Sequence, residues 1–129
     1  PDGYRIAYQQ ADHVIRTVDS SGARNDTGLT GLGSTSPAIT TLPTGEIDLS
    51  VIGSDNKVRV LSTTGSDAVI DTGATAANAT SPTIAPAAGG GFVTAWADQG
   101  ARLDYFTPGG GLIVTGLGLA FGSSPAWGR

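Results

Sequence analysis

Two short motifs recur along this chain at one spacing. The Ser-Pro motif begins at Ser36, Ser81 and Ser124, so its copies are 45 and 43 residues apart. The Thr-Gly motif begins at Thr27, Thr72 and Thr115 and shows the same two intervals. Because two independent markers give one period, the sequence predicts a single domain, residues 1–129, of three tandem repeats of about 43 residues.

The segments between the motifs have the pattern of short β-strands. In the second repeat, the apolar runs 47–52 and 58–61 are separated by a tight turn, and a further turn is expected at Gly65. Equivalent strands carry apolar residues on both faces, which is typical of sheets packed between neighbouring sheets. With 20 Gly and 7 Pro to supply turns, the sequence predicts an all-β fold with about four strands per repeat.

Charge and composition exclude several classes of partner and site. The net charge of -4 and the pI near 4.5 argue against a nucleic-acid partner and against an anionic membrane surface. The absence of Cys excludes disulfides and thiolate metal sites. No apolar run approaches the roughly 18 residues of a membrane span. We therefore expect no nucleic-acid partner, no membrane insertion, no metal and no cofactor.

No constellation of residues points to catalysis. The single His, His13, lies in a predicted hairpin turn beside Asp12, with no nucleophile motif to complete a triad. The acidic residues are scattered over turns and strands, and no spacing picks out a catalytic pair. Asp55-Asn56 indicates a tight turn, because both side chains tolerate positive φ. A calcium loop would need further oxygen ligands at fixed offsets, and the sequence has none there. The sequence predicts no catalytic residue and no enzyme.

A family resemblance can be stated on the second repeat. Ser36-Pro37-Ala38-Ile39, followed by the segment 45–60 and then Thr-Gly, resembles the blades of tectonin-like and related β-propeller lectins. It is also similar to Ser-Pro-Ala-Ile repeat arrays of secreted actinobacterial proteins, whose Thr-Gly-Leu-Gly-like loop matches the stretches 27–33 and 115–119. The resemblance implies a secreted β-propeller of three four-stranded blades per chain. A β-trefoil, which also has three four-stranded units, is the alternative.

Three blades do not close a ring, because propellers usually have four to eight. We expect a homodimer to complete six blades by symmetry. The termini favour this interpretation, since 124–129 followed by 1–4 reads like 36–47 and predicts a blade completed by strands from opposite ends of a chain, or from two chains. The chain also begins at Pro1 without Met or a signal peptide, so we expect a processed or excised piece of a longer product.

The resemblance implies carbohydrate binding, for which an aromatic face and a few polar groups suffice. The candidate ligand-binding residues are Trp96, Trp127, Tyr8, Tyr105, Arg16 and Arg59. Five of them have a competing role: both Trp residues align with apolar packing positions, Tyr105 aligns with Thr17 and Val60, and the two Arg residues would serve equally well in salt bridges between blades. The predicted function is a non-catalytic lectin-like module whose partner is a glycan or glycoconjugate.

The alternative function is a structural or protein-interaction module excised from a longer secreted protein or enzyme. The scarcity of aromatic residues, 6% of the chain, favours that alternative.

Overall fold

The computed structural model describes residues 3–62 and 68–127. The predicted turn at Gly65, and the residues 1–2 and 128–129 of the predicted join between the chain ends, lie outside this part. The described residues form strands and turns and no helix. The strands are β1 (Arg5–Gln9), β2 (Val14–Asp19), β3 (Arg24–Thr30), β4 (Ala38–Thr41), β5 (Ile47–Ile52), β6 (Lys57–Ser62), β7 (Val69–Thr75), β8 (Thr83–Pro86), β9 (Phe92–Ala97), β10 (Arg102–Thr107) and β11 (Gly111–Gly118).

The strands form three antiparallel sheets, each ordered as a meander. Blade 1 contains β1–β2–β3, blade 2 contains β4–β5–β6–β7, and blade 3 contains β8–β9–β10–β11. The first strands of blades 2 and 3, β4 and β8, pack against each other. Separate meander sheets stacked in chain order are propeller blades, which confirms the predicted all-β propeller class and excludes the trefoil alternative.

Blades 2 and 3 have the predicted four strands, and blade 1 has three within the described residues, which fits the prediction of a blade completed by strands from opposite ends of a chain or from two chains. The segment 124–127, predicted as a first strand, pairs with no strand there. A strand needs a neighbour to satisfy its backbone, and the described residues offer this segment none.

Apolar side chains fill both spaces between blades. We call the side of a blade that faces the preceding blade its front and the opposite side its rear. Ile15 on the rear of blade 1 packs against Leu49 and Val51 on the front of blade 2. Val58 on the rear of blade 2 packs with Trp96 on the front of blade 3. All six residues of β9 are buried, as the apolar residues on both faces predicted.

The Thr-Gly motif marks a bulge in the last strand of each blade. The Thr27 hydroxyl donates to the carbonyl of Ile15 on the neighbouring strand at 2.6 Å, and the next residue, Gly28, has φ of 73°. Thr72 and Thr115 make the same bond at 2.8 and 2.7 Å, each followed by a glycine of positive φ. The strand pairing shifts by two residues at this point in all three sheets. The motif is therefore conformational, since only glycine adopts this φ without strain.

The hairpin between the second and third strands of each four-stranded blade, and between β1 and β2, has one geometry. The equivalent residues His13, Asn56 and Ala101 have φ of 66°, 64° and 57°. Asn tolerates this left-handed conformation, whereas Ala does not favour it. The three repeats therefore share one hairpin conformation at this position.

Candidate functional site

An arginine on the third strand of blade 2 is held by two carboxylates. Arg59 donates from Nη1 to Asp55 Oδ1 at 2.9 Å and from Nη2 to Asp55 Oδ2 at 2.7 Å. Its Nε lies 3.6 Å from Asp71 Oδ2. The turn before β6 supplies Asp55, and β7 supplies Asp71 just before its bulge.

Blade 1 contains the same cluster. Arg16 donates to Asp12 Oδ1 and Oδ2 at 2.9 and 3.0 Å, and its Nη2 lies 3.5 Å from Asp26 Oδ2. Each arginine is thus paired within its own blade, so the interpretation of Arg16 and Arg59 as salt bridges between blades is wrong. The tight turn brings the first carboxylate onto the same side of the sheet as the arginine.

The ion pairs fix the charges of these groups. The hydrogen bonds from Arg59 lower the pKa of Asp55 to about 2. The hydrogen bond from Arg16 likewise lowers the pKa of Asp12, and both arginine pKa values are raised by their carboxylate partners. A permanently charged guanidinium flanked by carboxylates offers fixed donors beside fixed acceptors.

A cavity of about 250 Å³ opens beside Arg59, between blades 1 and 2. Blade 1 contributes Gly28, Leu29 and Thr30 from β3 to its wall. Blade 2 contributes Val51, Gly53, Ser54, Asp55 and Arg59. The cavity therefore combines an apolar wall with charged donors and acceptors, the usual makeup of a small polar ligand's site. We call it the Arg59 pocket.

A glycine keeps the Arg59 pocket open. In blade 1, Gln10 accepts a hydrogen bond of 3.0 Å from Arg16 Nη1. The equivalent residue of blade 2 is Gly53, where a Cβ atom would lie 2.7 Å from Arg59 Nη1 and 2.8 Å from Asp55 Oδ1. Each Nη atom of Arg59 carries two protons and gives one to Asp55, so the second Nη protons stay available to a ligand. Comparison of the two hairpin sequences, Gly53 against Gln10, could have identified this feature.

Blade 3 replaces the arginine cluster with a pair of carboxyl groups. Asp104 stands where Arg16 and Arg59 stand, and it is 5% exposed. Burial, followed by the neighbouring charge of Asp98, raises the pKa of Asp104 to about 6. The site between blades is therefore not the same in all three blades.

The structure separates the aromatic candidates from one another. Trp96 is fully buried in the core between blades 2 and 3, which fits its packing role. Tyr8 pairs across the strands with Arg16, on the front of blade 1, and lines a second cavity of about 450 Å³. Trp127 lines a third, of about 830 Å³, beside Val93 on blade 3. Tyr105 is half-buried on the rear of blade 3.

Of the six residues predicted from the sequence, only Tyr8 and Arg16 lie next to each other. Arg59 lines its pocket without an aromatic neighbour, because Val51 stands where blade 1 has Tyr8. Among the described residues, no group of three or more His, Cys, Asp or Glu side chains is placed to hold a metal ion. Within the same residues, no helix is long and apolar enough to cross a membrane.

No protein-family model and no curated protein sequence matches this chain, so the resemblance to tectonin-like and actinobacterial repeats has no support from sequence families. Among solved structures, the chain is similar to a fucose lectin from Kordia zhangzhouensis in complex with methyl-fucoside. The TM-score is 0.57 and the identity 17%, over 87% of this chain and 88% of the lectin chain. At this identity the similarity shows a shared lectin-like propeller fold.

Proposed function

We propose that this chain is a non-catalytic carbohydrate-binding β-propeller module, one domain of three repeats, that is secreted and assembles as a homodimer with six blades. The observation that carries the proposal is the Arg59 pocket, an open cavity between two blades lined by a fixed guanidinium and the Asp55 carboxylate. The similar chain in the fucose lectin binds a sugar, which supports a glycan or glycoconjugate as the partner. Secretion rests on the sequence resemblance alone.

The pocket is suited to a neutral, hydroxyl-rich ring. The free Nη protons of Arg59 would donate to ring hydroxyls, and Asp55 or Asp71 would accept from them. Leu29 and Val51 offer the apolar wall against which the C–H groups of a sugar pack. The Nε and both Nη atoms of Arg59 already face carboxylates, which disfavours an anionic ligand in the same place.

The experiment is a glycan array followed by calorimetric titration with methyl-fucoside and the best array ligand. Arg59→Ala should weaken binding by about tenfold or more, because hydrogen bonds to a charged group contribute about 1.5–3 kcal/mol. Lys57→Ala, a neighbouring exposed cation with no place in the pocket, is the matched control and should bind like the wild type. Silence across the array from correctly folded protein would rule out the proposal.

The alternative, a structural or protein-interaction module of a longer secreted protein or enzyme, is favoured by one observation. Large apolar side chains such as Ile6 and Phe121 are 50% and 94% exposed. A chain that binds no glycan but captures neighbouring domains of its own precursor would support this second function.

A further inference from the structure

The front of blade 1 exposes side chains at positions that are buried in the other blades. Ile6 is 50% exposed, whereas the equivalent Leu49 and Thr94 are 1% and 0% exposed. Tyr4 is 63% exposed, and the equivalent Phe92 is 3% exposed. This face therefore has the composition of a surface between blades, but no blade covers it in the described residues.

The rear of blade 3 also exposes residues whose equivalents in blades 1 and 2 are packed against the following blade. Leu103 is half-buried there, and its equivalents Ile15 and Val58 are the centres of the two cores between blades. Leu117 is 61% exposed, whereas the equivalent Leu29 and Ala74 pack against the following blade. Since Thr115 and Gly116 repeat the bulge of β3, the last strand of blade 3 already has the shape that seats a following blade.

Two kinds of hydrogen bond connect each blade to the next. Within the described residues, neither kind is formed at the front of blade 1 or the rear of blade 3. Leu32 N donates to Ile52 O, and Ala77 N donates to Ala97 O, each at 2.8 Å and each from one blade to the next. The next equivalent donor is the N–H of Ala120, and the equivalent acceptor is the carbonyl of Gln9, at the opposite end of the molecule.

The second kind of bond joins the Ser-Pro motifs. Ser36 N donates to Ser81 Oγ, and Ser81 N donates to Ser124 Oγ, each at 2.9 Å. The segment 124–127 is thus already in place as the first strand of a fourth blade beside blade 3. Among the residues that the structure describes, blade 1 is the sheet without a first strand, and β1 is its open edge.

We propose that two copies of this chain join head to tail, the rear of blade 3 against the front of blade 1, and that each joint builds a glycan pocket around Tyr8 and Arg16. Residues 124–127 of one copy become the first strand of the other copy's blade 1. Two such joints close six blades and pair β1, the open inner edge of blade 1, with a first strand. The ligand part of this inference rests on the proposed function.

The pocket at the joint follows from the Arg59 pocket. There, Gly28, Leu29 and Thr30 of the preceding blade form one wall; at the joint, Gly116, Leu117 and Gly118 of the second copy take their place. Arg16 with Asp12 and Asp26 repeats the charged cluster, but Gln10 accepts from Arg16 Nη1 there, so the amide NH2 of Gln10 replaces that Arg16 proton as the donor to a ligand. Tyr8 replaces Val51 and adds an aromatic face for sugar C–H groups, so neither copy alone holds a complete site.

The joint is tested by mixing two singly changed chains. Ile6 and Leu103 are equivalent to Leu49 and Ile15, which contact each other, so they should meet at the joint. Ile6→Glu and Leu103→Lys should each give a monomer of 12.9 kDa, while the wild type has twice that mass in light scattering after size exclusion. The mixture should recover the dimer, because it contains one native joint and one Glu–Lys joint.

Two exposed apolar residues provide matched controls. Val69→Glu and Val114→Lys change side chains that are 47% and 63% exposed on the last strands of blades 2 and 3, away from both faces, and should stay dimeric. Circular dichroism checks that every variant is folded. A wild-type monomer at all concentrations, or a dimer unaffected by both joint variants, would overturn the joint. A closed trimer or an open polymer would overturn the count of six blades.

Calorimetry with the same glycoside probe separates the ligand from the joint. The wild-type dimer should bind two molecules per chain, and the monomeric Ile6→Glu variant one per chain, in the Arg59 pocket. One molecule per chain in the dimer would overturn the pocket at the joint and leave the dimer standing. A dimer that binds no glycan would overturn the proposed function but not the head-to-tail contact.

Discussion

The backbone N–H of Ser36 donates a hydrogen bond of 2.9 Å to the hydroxyl of Ser81, the equivalent residue of the next blade, 45 residues further along the chain. Ser81 in turn donates to Ser124 over the same distance. The Ser-Pro motif therefore connects the start of each blade to the start of the next blade by a hydrogen bond. Proline after the serine suits this place, since it has no N–H to leave unpaired.

This series of bonds predicts a stability effect that depends on position. Ser81→Ala removes the acceptor of Ser36 and should lower the free energy of unfolding by about 1 kcal/mol, measured by urea denaturation. Within the described residues the Ser36 hydroxyl accepts no such bond, so Ser36→Ala should be neutral in the monomeric Ile6→Glu variant. In the wild-type dimer it should cost a similar amount, because Ser124 of the second copy loses its acceptor. Equal effects in both backgrounds would contradict this account.

Ala101 predicts a stabilising substitution. Its φ of 57° is a left-handed conformation that costs an L-residue about 1 kcal/mol or more. Ala101→Gly should raise the free energy of unfolding by roughly 0.5–1 kcal/mol, and so should Ala101→Asn, the residue found at the equivalent position 56. The control Ala88→Gly, in an exposed loop without positive φ, should be neutral or destabilising. Thermal unfolding of the three variants decides the matter.

Asp104 predicts a pH-dependent stability. Its pKa rises from 3.8 to about 6 on folding, through burial and the charge of Asp98. A raised carboxyl pKa stabilises the fold most below the unfolded value, and this contribution is lost as the pH rises through about 6. Asp104→Asn should therefore equal the wild type near pH 3.5 and exceed its stability at pH 7, by up to about 3 kcal/mol. A difference that does not change between these two pH values would refute the explanation.

Gly53 predicts a binding defect without a folding defect. A Cβ atom there must displace the Arg59–Asp55 pair, since it would lie 2.7 and 2.8 Å from their polar atoms. Gly53→Ala should weaken glycan binding several-fold in calorimetry while the melting temperature changes little, because exposed ion pairs contribute at most about 1 kcal/mol. Gly89→Ala, where a Cβ atom would meet nothing within 4 Å, is the control. Unchanged affinity in Gly53→Ala would exclude the Arg59 pocket as the site.

Much of the fold was predictable because its motifs are local. The hairpin turns at His13 and Asn56 and the apolar residues on both faces of β9 follow from short-range patterns. The Thr-Gly motif was interpreted as a loop, whereas it forms a bulge within the last strand of each blade. The sequence indicated that blade 1 is completed by the segment 124–129, but not whether that strand comes from the same chain or from a second one, because strand pairing depends on distant segments.

The site was predicted less well. Arg16 and Arg59 were identified, but their carboxylate partners were not, since a sequence does not show which side of a sheet a turn residue occupies. Gly53 was not identified from the sequence, because it acts by having no side chain. The space beside Arg59 stays open, whereas Gln10 occupies the equivalent space beside Arg16 in blade 1.

The sequence by itself determined the period, the all-β class and the three equivalent hairpins, because turn chemistry and strand alternation act over a few residues. Only the tertiary structure decided that Trp96 is core, that the arginine clusters lie within blades, and that a cavity opens beside Arg59. These features depend on contacts between sheet faces whose residues are about 45 positions apart in the chain. The front of blade 1 and the rear of blade 3 are exposed, whereas the equivalent faces of blade 2 are buried.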